Sequence, residues 1–277
     1  MLKWPRFAAP LSAAAAVLAI LAAPAGATAK PDVNQLLASY QTARGGEDAW
    51  KAIQTLGYTG HIVSTNANTP DLSFLMLLHR PNALRFEIAG RGERSIRIFD
   101  GQNGWRVRPG SERGLDIHPY DADELNAARD SGGLDGPLSD PAAKGIHVEL
   151  EGADQVEGHR AWRLRVTLPS GQVQQHWLDA KTYLELRYDR TSHDGSGKAV
   201  PVSVYYRNYQ TFLNVKVPLS IETRTPRGQL VNQMIVDKVA VNPHVDASAF
   251  LSPANVPHHG GVVVDATRAA PLGAARH

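Results

Sequence analysis

The stretch LSFLMLLHRPNALRFEIA, residues 72–89, decides the fold class. Two apolar runs of strand length, 72–80 and 83–89, flank Pro81-Asn82, a pair with turn chemistry. Sequential strands joined by so short a turn form an antiparallel hairpin. In the second run Leu84, Phe86 and Ile88 alternate with Arg85 and Glu87, the period of two that keeps one side of a sheet dry and the other wet. The first run is apolar on both sides, and its Met76 is the flexible filler that adaptable binding surfaces use.

The turn sets which residues share a side. A two-residue loop at Pro81-Asn82 pairs Leu77 with Phe86 and Leu75 with Ile88, whereas a slip of one residue brings Phe74, Met76 and Leu78 to that side instead. Further strands are expected over 56–64, 94–99, 104–108, 145–151, 161–168, 172–179, 183–190, 200–209, 218–225 and 229–241. Asp100-Gly101, Pro169-Ser170-Gly171, Asp194-Gly195 and Pro226-Arg227-Gly228 supply turns between them. Consecutive strands with short turns predict a meander, hence an antiparallel sheet and a mainly β, α+β class. Ile96 and Ile98 alternate with Arg97, Trp105 and Val107 with Arg106 and Arg108, and Trp162, Leu164 and Val166 with Arg163 and Arg165. The expectation is one apolar, aromatic face and one solvated face rich in arginine.

Helices are few. Asp32 with Gln35 has capping-box spacing, and Val33, Leu36, Leu37 and Tyr40 form an apolar stripe that stops at Gly45-Gly46. Glu47 and Asp48 open a second short helix carrying Trp50 and Ile53. Within 109–143, Asp121 and Glu124 cap a third helix ended by Gly132-Gly133, a segment suited to a lid. An apolar sheet face must be buried against helices, against itself as a barrel, or against a ligand.

Lys3 and Arg6, an apolar run from Leu11 to Ala23 and the site Ala27-Thr28-Ala29 have the order of a cleavable export signal, residues 1–29. Pro24 and Gly26 close the run before it could span a bilayer, which takes roughly 20 residues. Of 29 basic residues two lie in this segment, and none of the 27 acidic ones does, so the remainder carries 27 of each. That neutrality removes the electrostatic case for a nucleic-acid partner. With no cysteine, disulfides, thiolate metal sites and a lipid-modified N-terminal cysteine are excluded, so the expected protein is periplasmic and not itself a lipoprotein. The 248 residues left after removing 29 from 277 can bury a full core. After Phe250 the chain reads as a loosely ordered tail, 253–277.

No nucleophile elbow, zinc-protease helix or phosphate loop is present. Asp194-Gly195-Ser196-Gly197-Lys198 lacks the Ser or Thr after Lys and reads as a hairpin turn. His258-His259, with His244 upstream, is the one pair suggesting a metal, and on a tail it has no fixed geometry. Nothing calls for an enzyme or a cofactor.

Several short marks in order resemble the outer-membrane lipoprotein-sorting family, the LolA/LolB-like fold. They are Ala43-Arg44-Gly45-Gly46, Tyr58-Thr59-Gly60, His79-Arg80-Pro81-Asn82, Asp100-Gly101 before Gly104-Trp105, Leu134-Asp135-Gly136-Pro137-Leu138, and Leu178-Asp179 before Thr182-Tyr183-Leu184. The resemblance implies an unclosed antiparallel β-barrel over 30–252 whose concave apolar face is covered by helices, leaving a cavity for the acyl chains of a lipid or lipoprotein. An inner-membrane transporter or an outer-membrane acceptor would be the candidate partners. In that family the Arg of a K-R-P-N hairpin holds the helical lid, which makes Arg80 a candidate latch, with His79 in place of the Lys and Leu84 in place of an aromatic residue that retains the chain. Candidate cavity residues on the hairpin are Phe74, Leu75, Met76, Leu77, Leu78, Leu84, Phe86 and Ile88. Ile98, Trp105 and Trp162 join them from other strands. Exposing a sixteen-carbon chain to water costs roughly 12 kcal/mol, which is the physical need such a carrier meets.

Overall fold

The computed structural model describes residues 31–64, 70–110, 114–193 and 198–252. The expected signal segment, the Asp194-Gly195 turn, and the tail with His258-His259 lie outside them. No described helix is long and apolar enough to cross a membrane.

Chain order runs α1 (Val33–Ala43), α2 (Glu47–Lys51), β1 (Thr55–Val63), β2 (Leu72–His79), β3 (Ala83–Gly90), β4 (Glu93–Phe99), β5 (Gly104–Pro109), β6 (Leu115–Pro119), and α3 (Ala122–Asp130). Then come β7 (His147–Val156), β8 (His159–Thr167), β9 (Val173–Asp179), β10 (Glu185–His193), β11 (Ala199–Phe212), β12 (Val215–Arg224) and β13 (Leu230–Val241). The expected meander is present, with one strand added at 115–119, where Asp116, His118 and Pro119 obscure a β pattern.

All strands form one antiparallel sheet in the order β6-β5-β4-β3-β2-β1-β13-β12-β11-β10-β9-β8-β7. Two meanders are thus sewn together where β1 pairs with β13, from Leu56 opposite Val241 to Val63 opposite Gln233. The free edges are β6 and β7, so the sheet is an open half-barrel, and the connection through 120–146 passes from one edge to the other.

The β2–β3 register corrects the two-residue turn. Met76 pairs with Phe86, Phe74 with Ile88 and His79 with Ala83, leaving a three-residue loop of Arg80, Pro81 and Asn82. Arg80 is drawn out of the ladder because its backbone N–H donates to Gln54 O at 3.0 Å and its side chain is bound elsewhere. Phe74, Met76 and Leu78 therefore share the inner, helix-covered face with Leu84, Phe86 and Ile88, and Leu75 and Leu77 point outward.

The expectation of a single dry face also fails between β3 and β4. Phe86 pairs with Arg97, and Arg85 with Ile98, which in turn pairs with Trp105. Ile98 and Trp105 thus lie on the outer face beside Arg85 and Leu77, while Arg97 and Arg106 point inward. Both exchanges have a cover. On the outer face Leu77 and Ala83 pack under Ala249 and Phe250, and Arg85 donates to Ala249 O at 2.9 Å. On the inner face Arg106 meets Glu124 of α3 at 3.3 Å, so it is not the solvated arginine expected. In β8 the expectation holds, with Arg163 and Arg165 outward and paired to Glu151 and Glu149.

Two clusters fill the inner face. One joins Trp50 and Ile53 to Leu56, Tyr58, Phe74, Leu134, Val215, Val217 and Val236, and the other joins Leu36 and Tyr40 of α1 to Leu138, Val148, Leu164, Val166 and Leu178. Each buried side chain of this kind contributes about 1.5–3 kcal/mol by leaving water.

Leu77 is fully buried on the outer face. Leu77→Ala should cost about 2–5 kcal/mol in urea denaturation through the cavity it leaves under Phe250. A loss below about 1 kcal/mol would contradict this placement.

Candidate functional site

Asp32 caps α1, accepting the N–H groups of Asn34 and Gln35 at 2.8 and 3.3 Å. The helix ends where Gly45 takes a φ of 118°. A β-carbon there would lie 1.9 Å from Asn214 O, so only glycine lets the chain press against the β11–β12 hairpin. The Lys216 N–H then donates to Arg44 O at 2.8 Å.

This docking presents Arg44. Its Nη1 donates to Tyr40 Oη at 3.1 Å, Ser139 Oγ at 3.2 Å and Asp135 O at 2.7 Å. Its guanidinium lies 3.7 Å from the centroid of the Trp50 ring, and the Trp50 indole N–H donates to Arg44 O. Residues 133–144 are held in the same way: Lys144 Nζ donates to Gly136 O and Ser139 O, both at 2.7 Å, and burial pushes its amine below the ordinary lysine range.

Arg80 ties the β2–β3 loop to this roof. Its Nε donates to Ile53 O at 2.7 Å, its Nη2 to Trp50 O at 2.8 Å, and Nη1 and Nη2 donate to the two oxygens of Asp135 at 2.6 Å each. One planar fork thus joins a hairpin, the end of α2 and the turn at Gly133–Asp135, which a lysine's point charge could not do.

Between roof and sheet is a cavity of about 400 Å³. Its wall on β1, β2 and β12 is mostly apolar, from Tyr58, Met76, Leu78, Val217 and Ile221, with Trp50 and Leu134 above. Its wall on β9 to β11 is polar, from Gln174, His176, Glu185, Tyr188, Arg190 and Tyr206. His176 is fully buried, with Nδ1 2.5 Å from Glu185 Oε1 and Nε2 3.0 Å from Gln174 Oε1. The rings of His176, Tyr188 and Tyr206 stack in a row at 5.3 and 5.8 Å. Asn208, at a φ of 54°, reverses the alternation of β11, so that Tyr209 also reaches the cavity and donates to Glu185 O at 2.9 Å.

Chemically this is a binding space with one apolar and one hydrogen-bonding wall. The His176 ring would have to release Glu185 or Gln174 before taking a ligand's proton. Among the described residues no three His, Cys, Asp or Glu are grouped to hold a metal.

Of the residues expected to line the cavity, Met76 and Leu78 do. Phe74, Leu84, Phe86 and Ile88 share their face outside the cavity wall, Phe74 and Phe86 packing ring to ring at 6.2 Å. Trp162 is on the inner face, in the cluster under α1. Leu75, Leu77, Ile98 and Trp105 are on the other side of the sheet. The polar wall and Arg44 were not among the expected site residues. The alternation of Gln174, His176 and Leu178 in β9, set against Trp162, Leu164 and Val166 in β8, carries the signal that could have found His176.

No protein-family model and no curated protein matches the chain. Among solved structures it is similar to a LolA superfamily protein from Nitrosomonas europaea, at 11% identity and TM-score 0.49 over 80% of this chain and 98% of that one. It is also similar to a putative outer membrane lipoprotein-sorting protein domain from Vibrio parahaemolyticus, at 13% and 0.42 over 79% and 97%. A DUF1329 family protein from Desulfovibrio piger gives 15% and 0.42 over 80% and 98%. Such distant likenesses do not bear on ligand or activity.

Burial raises the phenol pKa of Tyr40 to about 12 and moves those of Tyr58, Tyr188, Tyr206 and Tyr209 upward as well. A raised folded-state value contributes stability that is complete below the unfolded tyrosine pKa, roughly 10, and is lost as pH climbs through the raised values. Tyrosinate absorbance should show these five of the eight tyrosines ionising only as circular dichroism reports unfolding. Their reversible ionisation near pH 10 in a folded protein would contradict this burial of the phenols.

Proposed function

We propose that this is an exported, periplasmic carrier or sensor that takes up an acyl chain of a lipid or lipoprotein in the cavity under α1, α2 and residues 133–144. The observation that carries this reading is the cavity's apolar wall on β1, β2 and β12, in a space of about 400 Å³. Small-molecule sites fall at about 300–1,000 Å³ and bury most of an apolar ligand. Each methylene moved there from water is worth about 0.8 kcal/mol, which an aqueous route between membranes would otherwise forfeit. In this reading Arg80 is the latch, because its bonds join the sheet's hairpin to the Asp135 turn that covers the cavity.

Organic extracts of the purified protein, analysed by mass spectrometry, should contain a stoichiometric amphiphile, and a fluorescent fatty acid should bind the delipidated protein. An empty extract together with no fatty-acid binding would overturn the reading. Arg80→Leu leaves Asp135 without its partner, a loss of about 1–3 kcal/mol. It should speed release of the fluorescent fatty acid about tenfold while circular dichroism keeps its β signal, and Arg80→Lys should restore only part of the difference. Equal release rates in all three proteins would make Arg80 a bystander to ligand exchange.

A further inference from the structure

The cavity holds two polar groups that the fold leaves unspent, at the border of its apolar wall. Tyr58 is only 8% exposed and lines the cavity, and its hydroxyl makes no hydrogen bond to a described residue, yet it is not sealed off from open space. A hydroxyl in that position is open to whatever occupies the cavity. Arg44 lines the same space. All its hydrogen bonds leave from Nη1 and end on neutral oxygens, so Nε and Nη2 have no acceptor, and no carboxylate among the described residues lies within ion-pair distance. Its charge acts on Tyr58 and Tyr209, opposing the rise that burial causes in both phenols.

The lining as a whole carries three carboxylates and three Arg or Lys side chains, so what favours an anion is local, at Arg44. The three carboxylates are already engaged: Asp135 by Arg80, Glu185 by His176, and Asp130 by the hydroxyl and N–H of Ser170. Arg190 and Lys216 line the cavity as Arg44 does and pair with no carboxylate among the described residues, although Arg190 donates to Thr191 O at 3.5 Å and bonds the Tyr188 side chain. A guanidinium edge with Nε and Nη2 free, its carbon 3.7 Å from the centroid of the Trp50 ring, matches the two oxygens of a carboxylate or phosphate. A neighbouring hydroxyl supplies a third bond.

We propose that the cavity selects an amphiphile with an anionic oxygen head, a carboxylate or a phosphate monoester, seated at Arg44 and Tyr58 with its chain along Met76, Leu78 and Ile221. This rests on the acyl-chain reading and adds to it that the head is recognised as well as the tail. A neutral alcohol of the same length would accept hydrogen bonds there without bringing a charge, and would bind less tightly.

The test is calorimetric titration of the delipidated protein with dodecanoate, dodecyl phosphate and dodecanol, above the pKa values of both acidic heads. At least one anionic probe should bind about tenfold or more tightly than dodecanol, and the tighter of the two identifies the head. Tyr58→Phe, which removes only the hydroxyl, should weaken that anion several-fold and dodecanol by clearly less, so that the discrimination narrows. Arg44→Met should abolish the discrimination, with thermal melting run alongside because Arg44 also braces the roof. If Arg44→Met does not fold, Tyr58→Phe decides alone. Equal binding of all three probes, or unchanged discrimination in Tyr58→Phe, overturns the head site while acyl binding stands. Failure of all three probes to bind overturns the acyl-chain reading and this inference with it.

Discussion

The pairing of β1 with β13 is the constraint from which the rest of the architecture follows. It joins strands from the two ends of the domain and makes one sheet of two meanders. Because those strands are central, the unpaired edges fall to β6 and β7, in the middle of the chain. The segment between them has to travel from one edge of the sheet to the other, and it carries Leu134, Asp135 and Leu138 over the inner face as it goes. Coverage of the cavity is thus a product of strand order as much as of local helix propensity.

Under that roof, polar groups are managed unequally. Asp135 receives two donors from Arg80, Glu185 is met by His176, and Lys144 spends its amine on two carbonyls. Such pairs repay part of the cost of removing charge from water and fix the covering segment between its apolar anchors Leu134 and Leu138. The stacked rings of His176, Tyr188 and Tyr206 add side-chain contacts across three strands already paired through their backbones. A cavity framed this way keeps its shape on one wall while the other is left to apolar side chains.

Much of the fold was legible because alternation and turn residues are local signals. Twelve of the thirteen strands and the three helices follow from them, and β6 escaped because it is short, charged and closed by a proline. Register was less legible. Whether Arg80 belongs to β2 or to the loop depends on Ile53, Trp50 and Asp135, none of which is near it in sequence. The same limit hid the switch of faces at β3–β4, because alternation within Ile96–Ile98 does not say which neighbour's apolar side it joins. For the site, Met76 and Leu78 could be read from an apolar strand, whereas His176, Glu185 and Tyr206 converge only through pairings among β9, β10 and β11.

The close approach at Gly45 bears on the order of assembly. The seat for the α1–α2 junction consists of Asn214 and Lys216, which emerge about 170 residues after it. The N-terminal helices are therefore made well before the β11–β12 hairpin and have nowhere to dock until it exists. Contacts of such long sequence separation form late in folding. In temporal terms the cavity is closed by an earlier-made part of the domain against a later-made one.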